Sequence, residues 1–400
     1  MPDNAYTEND ISSVTLDKIA SDNSVDDMSL AQGTGVTATG TQGSFAQGNN
    51  ATATGNLGSF AQGSGATTTG ANGSFAQGSG VTTTGANGSF AQGKSAEISS
   101  GNGAFAQGVS VVATGNGSFA QGTAASASAG TGTFAQGVSV TASGIKGSFA
   151  QGSSTRADGT AGVFAQGSNT HASGNIGSFA QGESATALGH IGCFAQGLDA
   201  SSGVDGIDSF GCFAQGSAVE ATGTVGCFAQ GSAATASGSY GCFAQGGVTL
   251  ASNSYGSFAQ GDFCTANGGY ACFAQGTKAY ASNNNTFALG ADVAASGSSS
   301  FAFGSGATAS GSSSFAFGNG ATASSDGAIQ FGNGENNTNN SLYCQYINAS
   351  SLYGNYVKCG TNGFSANGTA GVTGTSFWVQ GTGGGSYNIY ITYGIVTGVS

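Results

Sequence analysis

One fifteen-residue phrase constrains this chain more than anything else in it. S-F-A-Q-G-S-G-V-T-T-T-G-A-N-G, from Ser74 to Gly88, recurs with drift from Ser29 to about Gly334. Its anchor is a Phe before Ala-Gln-Gly. Phe45, Phe60, Phe75, Phe90 and Phe105 fall 15 apart; the series runs on to Phe273, and the step then tightens to 14 through Phe287, Phe301, Phe315 and Ile329. A short fixed period means one small unit stacked many times. Such a unit is too short for a helical hairpin but fits one coil of a β-solenoid, two short strands joined by Gly-bearing turns. At one strand spacing per coil, about 4.8 Å, the stack comes to roughly 95–100 Å.

Composition excludes more than it identifies. Gly is 75 of 400 residues and Pro is 1, so the chain is not collagen-like. Charged residues are only 6%, yet the apolar positions are periodic, which argues against disorder. A net charge of −12 leaves no basic stripe to meet phosphates and argues against nucleic acid. No secretory signal and no membrane-spanning run is recognisable, so the expected setting is a virion or a surface appendage that leaves its cell by lysis or an unconventional route. The eight Cys of a chain made in the cytosol should begin as thiols.

Three regions follow. Residues 1–28 are acidic, with Ile11, Val14, Leu16 and Ile19 as their one aliphatic cluster. They read as a solvated tail or as an arm that docks onto a base protein. Residues 29–334 are the repeat. Residues 335–400 open on a polar stretch, Asn333–Asn340, and then turn aromatic-rich: alternation in Thr375–Val379 and Tyr387–Tyr393 predicts strands joined by a Gly-rich turn. So small a segment is marginal as an independent core and is expected to trimerise or to cap the solenoid.

Within a coil, count Ser74 as position 1. Phe at 2 and Gln at 4 share one face of a strand, and Ser and Ala at 1 and 3 share the other. Positions 8 and 10 are small and read as inward, as in Val81/Thr83 and Val140/Ala142. Position 9 varies most, through Thr37, Val112, Arg156, His171 and Glu220, which marks a solvent face. Glycines at 5, 12 and 15 mark turns. The largest apolar residue is taken for the core, so Phe75, Phe90 and Phe164 are read as stacked inside with Gln77, Gln92 and Gln166 beside them. Leu289, Phe303, Phe317 and Phe331 at position 4 of later coils support that reading. Amides stacked at strand spacing can bond one another along the axis, so a Gln ladder is expected, with the fifteenth residue widening the coil to admit it. Positions 1 and 3 would then form a smooth outer face for contact with another roll.

The segment S-S-F-A-F-G-S-G-A-T-A-S-G-S, Ser299 to Ser312, resembles the 14-residue head repeat of trimeric autotransporter adhesins, the YadA-like head. The resemblance covers about three quarters of the chain. It is close over 287–334 and looser upstream, where coils have 15 residues and Gln replaces an apolar residue. It implies an all-β fold, a left-handed parallel β-roll with three rolls side by side, and an adhesive role. That family's coiled-coil stalk and membrane barrel have no counterpart here.

Candidate sites are few. Cys193, Cys212, Cys227, Cys242 and Cys272 all occupy position 1 and form a column opposite Phe. They read as small residues in place of Ser, as disulfides, since neighbours in register lie within bridging range, or as a metal site lacking a completing His. The four-residue insertion in Leu198–Gly211 carries Asp199, Asp205 and Asp208, near Glu183 and Glu220. It reads as a solvated loop, a receptor contact, a Ca²⁺ site or a carboxylate pair for glycan cleavage. Thr37/Thr39 through Thr82/Thr84 form a T-x-T array, similar to the ice face of insect antifreeze solenoids, though Thr also simply suits an exposed strand. Trp378, Tyr387 and Tyr390 are candidate binding residues, because such side chains dominate binding hot spots. No nucleophile–base set, cofactor motif or metal site is expected. The expectation is a non-enzymatic trimeric fibre that attaches through its C-terminal tip to a receptor, with a glycan as one candidate. An ice-binding solenoid is the alternative and a glycan-cleaving fibre the third reading.

Overall fold

The computed structural model describes residues 29–40, 42–69, 72–84, 87–204, 209–253 and 255–339, together with the strand backbones of 24–25, 342–344, 375–380, 386–392 and 395–399. The repeat forms a parallel β-solenoid of about 20 turns. Most coils lay down a five-residue strand, such as Phe164–Ser168, and then a two-residue strand, such as His171–Ala172; in the last coils the first strand shortens to three residues, as in Phe301–Phe303. Identical positions pair directly: Phe149 with Phe164 and Gln151 with Gln166 on the long strands, Arg156 with His171 on the short ones. Isolated parallel bridges at position 14, such as Asn72 to Asn87 and Tyr240 to Tyr255, add a third ladder along the outer turn.

The solenoid extends further than the Phe series suggests. Ser24–Val25 pairs with Thr37–Ala38, inside the segment read as an arm. Beyond Phe331, Gly334–Asn336 pairs with Ala321–Ala323 and Leu342–Cys344 with Ile329–Phe331. The polar stretch after Asn333 is therefore part of a last coil and not a linker. Met1–Gln345 forms one compact unit and Tyr346–Ser400 another. In the second, Thr375–Gln380, Ser386–Thr392 and Ile395–Val399 make an antiparallel sheet, with a register shift between Tyr390 and Ile391. The segment 381–385, read as a Gly-rich turn, lies outside the described residues.

The interior is the reverse of the sequence expectation. Positions 1, 3, 8 and 10 point between the sheets. Ala76, Ala91 and Ala165 are fully buried, as are Ser74, Val81 and Thr83. Phe75, Gln77, Phe90, Gln92, Phe164 and Gln166 are only half-buried and stand on the outer wall of the long-strand sheet. The Phe–Gln face is thus not the core, and positions 1 and 3 are not a contact face. The cause is width. With coils this short the two sheets lie too close for a phenyl ring, and Ile98 and Gln330 are the bulkiest fully buried side chains. The apolar residues at position 4 that suggested burial, Phe317 and Phe331, are in fact exposed.

The fifteenth residue does not widen the coil for Gln. It falls in the outer turn, on the side of the coil that carries position 14. The coil from Ala104 to Gly117 lacks it, yet Gln107 keeps both ladder bonds, at 2.8 and 2.7 Å.

At position 5 the chain passes very close to the next coil. Gly167 has φ +140°, and a Cβ there would lie 1.8 Å from the Gly182 carbonyl oxygen. Position 15 is left-handed but open: Gly162 has φ +63° with nothing near its added Cβ. Gly162→Ala should therefore cost about 1–2 kcal/mol, the price of a left-handed alanine. Gly167→Ala should cost clearly more, because a carbonyl in the middle of the stack must move. Denaturant midpoints of the two variants check the order; equal loss would mean that inter-coil packing is looser than described.

Candidate functional site

Three columns run along the solenoid, each built by repetition of one position. The first is the Phe–Gln wall. Consecutive phenyl rings from Phe45 to Phe315 stack near-parallel; the mid-stack pairs Phe149–Phe164 and Phe164–Phe179 have centroids 4.7 Å apart. Beside them the expected Gln ladder is present. From Gln47 to Gln275 each Nε2 donates to Oε1 of the preceding glutamine, at 2.6–2.8 Å. All these amides point the same way, so each bond polarises the next. The four-residue insertion does not interrupt it: Gln215 bonds Gln196 at 2.8 Å, and Phe194 stacks on Phe213 at 4.8 Å. The ladder ends where Leu289 follows Gln275.

The second column is the cysteines, and it lies inside. Cys193, Cys212, Cys227, Cys242 and Cys272 are buried free thiols among the alanines, and Cys264 is a sixth, at position 8. They take over a job done elsewhere by serine. Ser44 Oγ donates to the Gly55 carbonyl at 3.2 Å; Cys212 Sγ meets Gly223 O at 3.1 Å and Cys227 Sγ meets Gly238 O at 3.3 Å. Ser59, Ser74, Ser148 and Ser178 bury hydroxyls that have no partner. A thiol fills the same space with a smaller desolvation cost. Hydrogen bonds between adjacent thiols, and then burial, push the Cys212 and Cys242 thiols up; burial raises Cys264. No group of three or more His, Cys, Asp or Glu able to hold a metal occurs among the described residues.

The third column is position 14, which the sequence reading passed over as a turn. Before Ile176 it is mixed and mostly polar, running through Gln42, Leu57, Asn72, Asn87, Thr131, Lys146 and Ala161, with Asn72 bonded to Asn87 at 3.0 Å. From Ile176 it becomes apolar: Ile176, Ile191, Phe210, Val225, Tyr240, Tyr255 and Tyr270 follow in register. They are 37–55% exposed, so this is an outward stripe and not part of the core. Tyr240, Tyr255 and Tyr270 stack at 5.2 Å. The signal was present in the sequence, but only for a reader who follows each turn position down the stack.

The remaining candidates are less connected. Thr37, Thr52, Thr67 and Thr82 do form an outward ladder. In the neighbouring column, Thr54 and Thr84 turn their hydroxyls onto the Thr68 and Ile98 carbonyls, at 3.4 and 3.2 Å, which takes them away from an external lattice. Asp205 and Asp208 lie outside the described residues, as do the side chains of Trp378, Tyr387 and Tyr390. Glu183, Asp199 and Glu220 fall on three different coil positions. Arg156 and His171 both meet Asp158, at 2.6 and 3.1 Å. Burial raises the Asp158 carboxyl, but the His171 hydrogen bond and the charges of His171 and Arg156 outweigh it and hold the group low. No protein-family model matches the chain, and no curated protein matches its sequence.

Two expectations follow. Gln166→Ala removes two ladder bonds on a half-wet wall and should cost about 1 kcal/mol; Gln166→Leu should cost less, since Leu can cover the flanking phenyl rings. Denaturant midpoints decide, and two neutral results would mean that water replaces the ladder at no cost. The buried thiols should resist iodoacetamide at pH 8 in the folded protein and react on unfolding, as read by intact mass.

Proposed function

We propose that the chain is a non-enzymatic attachment fibre: a left-handed β-roll, assembled as a homotrimer, that serves as a spacer and presents residues 346–400 as its tip. The observation that carries this reading is the Phe–Gln wall. It is repeated coil after coil, and it leaves phenyl rings partly exposed over most of the stack. A continuous apolar face of that extent marks an interaction surface. Its amides already satisfy one another, so covering them would strand few polar groups. Two further copies of the same wall are the natural cover, and the resemblance to trimeric adhesin heads supplies the number three. The contact face is thus the wall of positions 2 and 4, in place of the small-residue face expected from sequence.

The acidic residues 1–23 suit docking to a base protein, and the tyrosines and single Trp of the C-terminal segment suit contact with a receptor. The rest of the setting, a virion or cell-surface appendage, follows from this role. Ice binding has weaker support, because the threonine array is short and part of its hydroxyls are engaged. Glycan cleavage has no assembled carboxylate pair to support it among the described residues.

Light scattering at micromolar concentration should give three times the chain mass. Gln166→Lys together with Gln181→Lys, placing charge in the middle of the wall, should lower it toward one. A chain ending at Gln345 should keep its β-sheet circular dichroism and lose binding to target cells. A monodisperse wild-type monomer would sink the trimer, and undiminished binding by the shortened chain would move the contact to the solenoid.

A further inference from the structure

We propose that the solenoid carries a binding site for a neutral, extended β-1,4-linked glycan along the stripe from Val225 to Tyr270. The site is independent of the trimer and of the C-terminal tip. Four features lead to it. The stripe is apolar and exposed, on a turn where the coils before Ala161 place mostly polar residues. Its members form one continuous column, because each bridges the next in parallel register. A β-1,4-linked chain advances by nearly the same distance per sugar as the solenoid advances per coil, so sugar and side chain can stay in step. Tyr240, Tyr255 and Tyr270 are near-parallel with centroids 5.2 Å apart. Parallel rings at that separation touch only if slipped, so each leaves part of its face uncovered, like overlapping tiles, for the C–H face of a sugar.

Beside the stripe lies the polar half of such a site. A shallow cavity of about 220 Å³ is lined by Thr222, Thr224, Ser237, Ser239 and Asn253, at positions 11 to 13 of the coils that carry Val225, Tyr240 and Tyr255. Asn267, in the same row one coil past Ser252, has a solvent-shielded Oδ1 with no hydrogen-bond partner. Hydroxyls and amides next to a strip of rings complement a molecule that is itself hydroxyl at its rim and C–H on its faces. The charge of the chain, −12, disfavours acidic polysaccharides and leaves a neutral one. The site binds and has no chemistry to cleave: no acidic or basic side chain lines the cavity.

Affinity electrophoresis of the full chain through gels containing hydroxyethyl cellulose, glycol chitin or dextran tests this. Retardation by one of the β-1,4-linked polymers and none by α-linked dextran is expected. Tyr255→Ser should weaken binding about tenfold, the value of one aromatic contact, and Tyr240→Ser with Tyr255→Ser should abolish it. Tyr255→Phe, which keeps the ring, should retain most of it. Asn72→Ser, at an asparagine of the same column far from the stripe, should leave it unchanged. These tyrosines lie outside the core, so the variants should unfold at the wild-type midpoint. No retardation by either β-1,4-linked polymer overturns the proposal, as does retardation that survives in the double variant. A fall in oligomeric mass of the double variant also overturns it, since the stripe would then be a contact between copies of the chain.

Discussion

Between the two sheets there is room for alanine, serine, cysteine or valine and for little else, and the remaining structure answers to that width. A two-residue strand facing a five-residue strand cannot hold a phenyl ring between them, so the bulky half of each repeat is forced outward. The interior is then filled by side chains that lose almost no rotamer entropy on burial, which suits a coil that gains little from any one contact. Stability must come from repetition, each coil templating the next. The same width explains the cysteines. Position 1 needs a small group that can reach a carbonyl across the turn, and a thiol does this with less desolvation cost than a hydroxyl that finds no partner.

Outside, register does what packing does inside. Because Phe149 pairs with Phe164 and Gln151 with Gln166, every wall side chain sits over its own kind. Like side chains at strand spacing are favourable only if they can stack or hydrogen-bond to themselves, and Phe and Gln satisfy that condition in the two available ways. Charged residues at positions 2 or 4 would repel along the whole ladder, which gives a physical reason for the scarcity of charge in the chain. Variation is pushed to positions 6, 9 and 14, at turns and on the short strand. The insertion after Ser202 shows the tolerance of those places: four extra residues leave the wall ladders intact on either side.

The period, the coil, the turn glycines and the Gln ladder were legible in the sequence, because each depends only on spacing and on residue type. Which face of the strand is inside was not. Both faces of F-A-Q carry an apolar residue, and alternation cannot tell a core of Ala from a core of Phe. The usual preference for the larger side chain then points the wrong way. The observation that could have corrected it is volume. Position 10 is Ala in most coils and position 8 Ala or Val, and such residues facing Phe across a two-residue strand leave no room for a ring. The end of the repeat was misplaced for a related reason. Gly334–Asn336 and Leu342–Cys344 continue the two ladders, but they do so without the F-A-Q-G or F-A-F-G phrase that marks the earlier coils.

The fifteenth residue has the most consequence for what the surface can do. A coil of 14 residues is enough for both sheets and for the Gln ladder, as Ala104–Gly117 demonstrates with Gln107 in place. The extra residue therefore serves neither core nor wall. It falls in the outer turn beside a column of solvent-facing side chains, although bridging there does not require it, since Asn116 of the 14-residue coil still bridges Thr131. A position outside the core can change character along the solenoid, from Asn72 and Asn87 to Tyr255 and Tyr270. Where the coils shorten again after Tyr270, the bridges stop and the T-x-A strand and F-A-F wall continue without them. The stack is thus a uniform scaffold whose outer turn carries a variable surface, and regional differences along the solenoid surface should map to that column before any other.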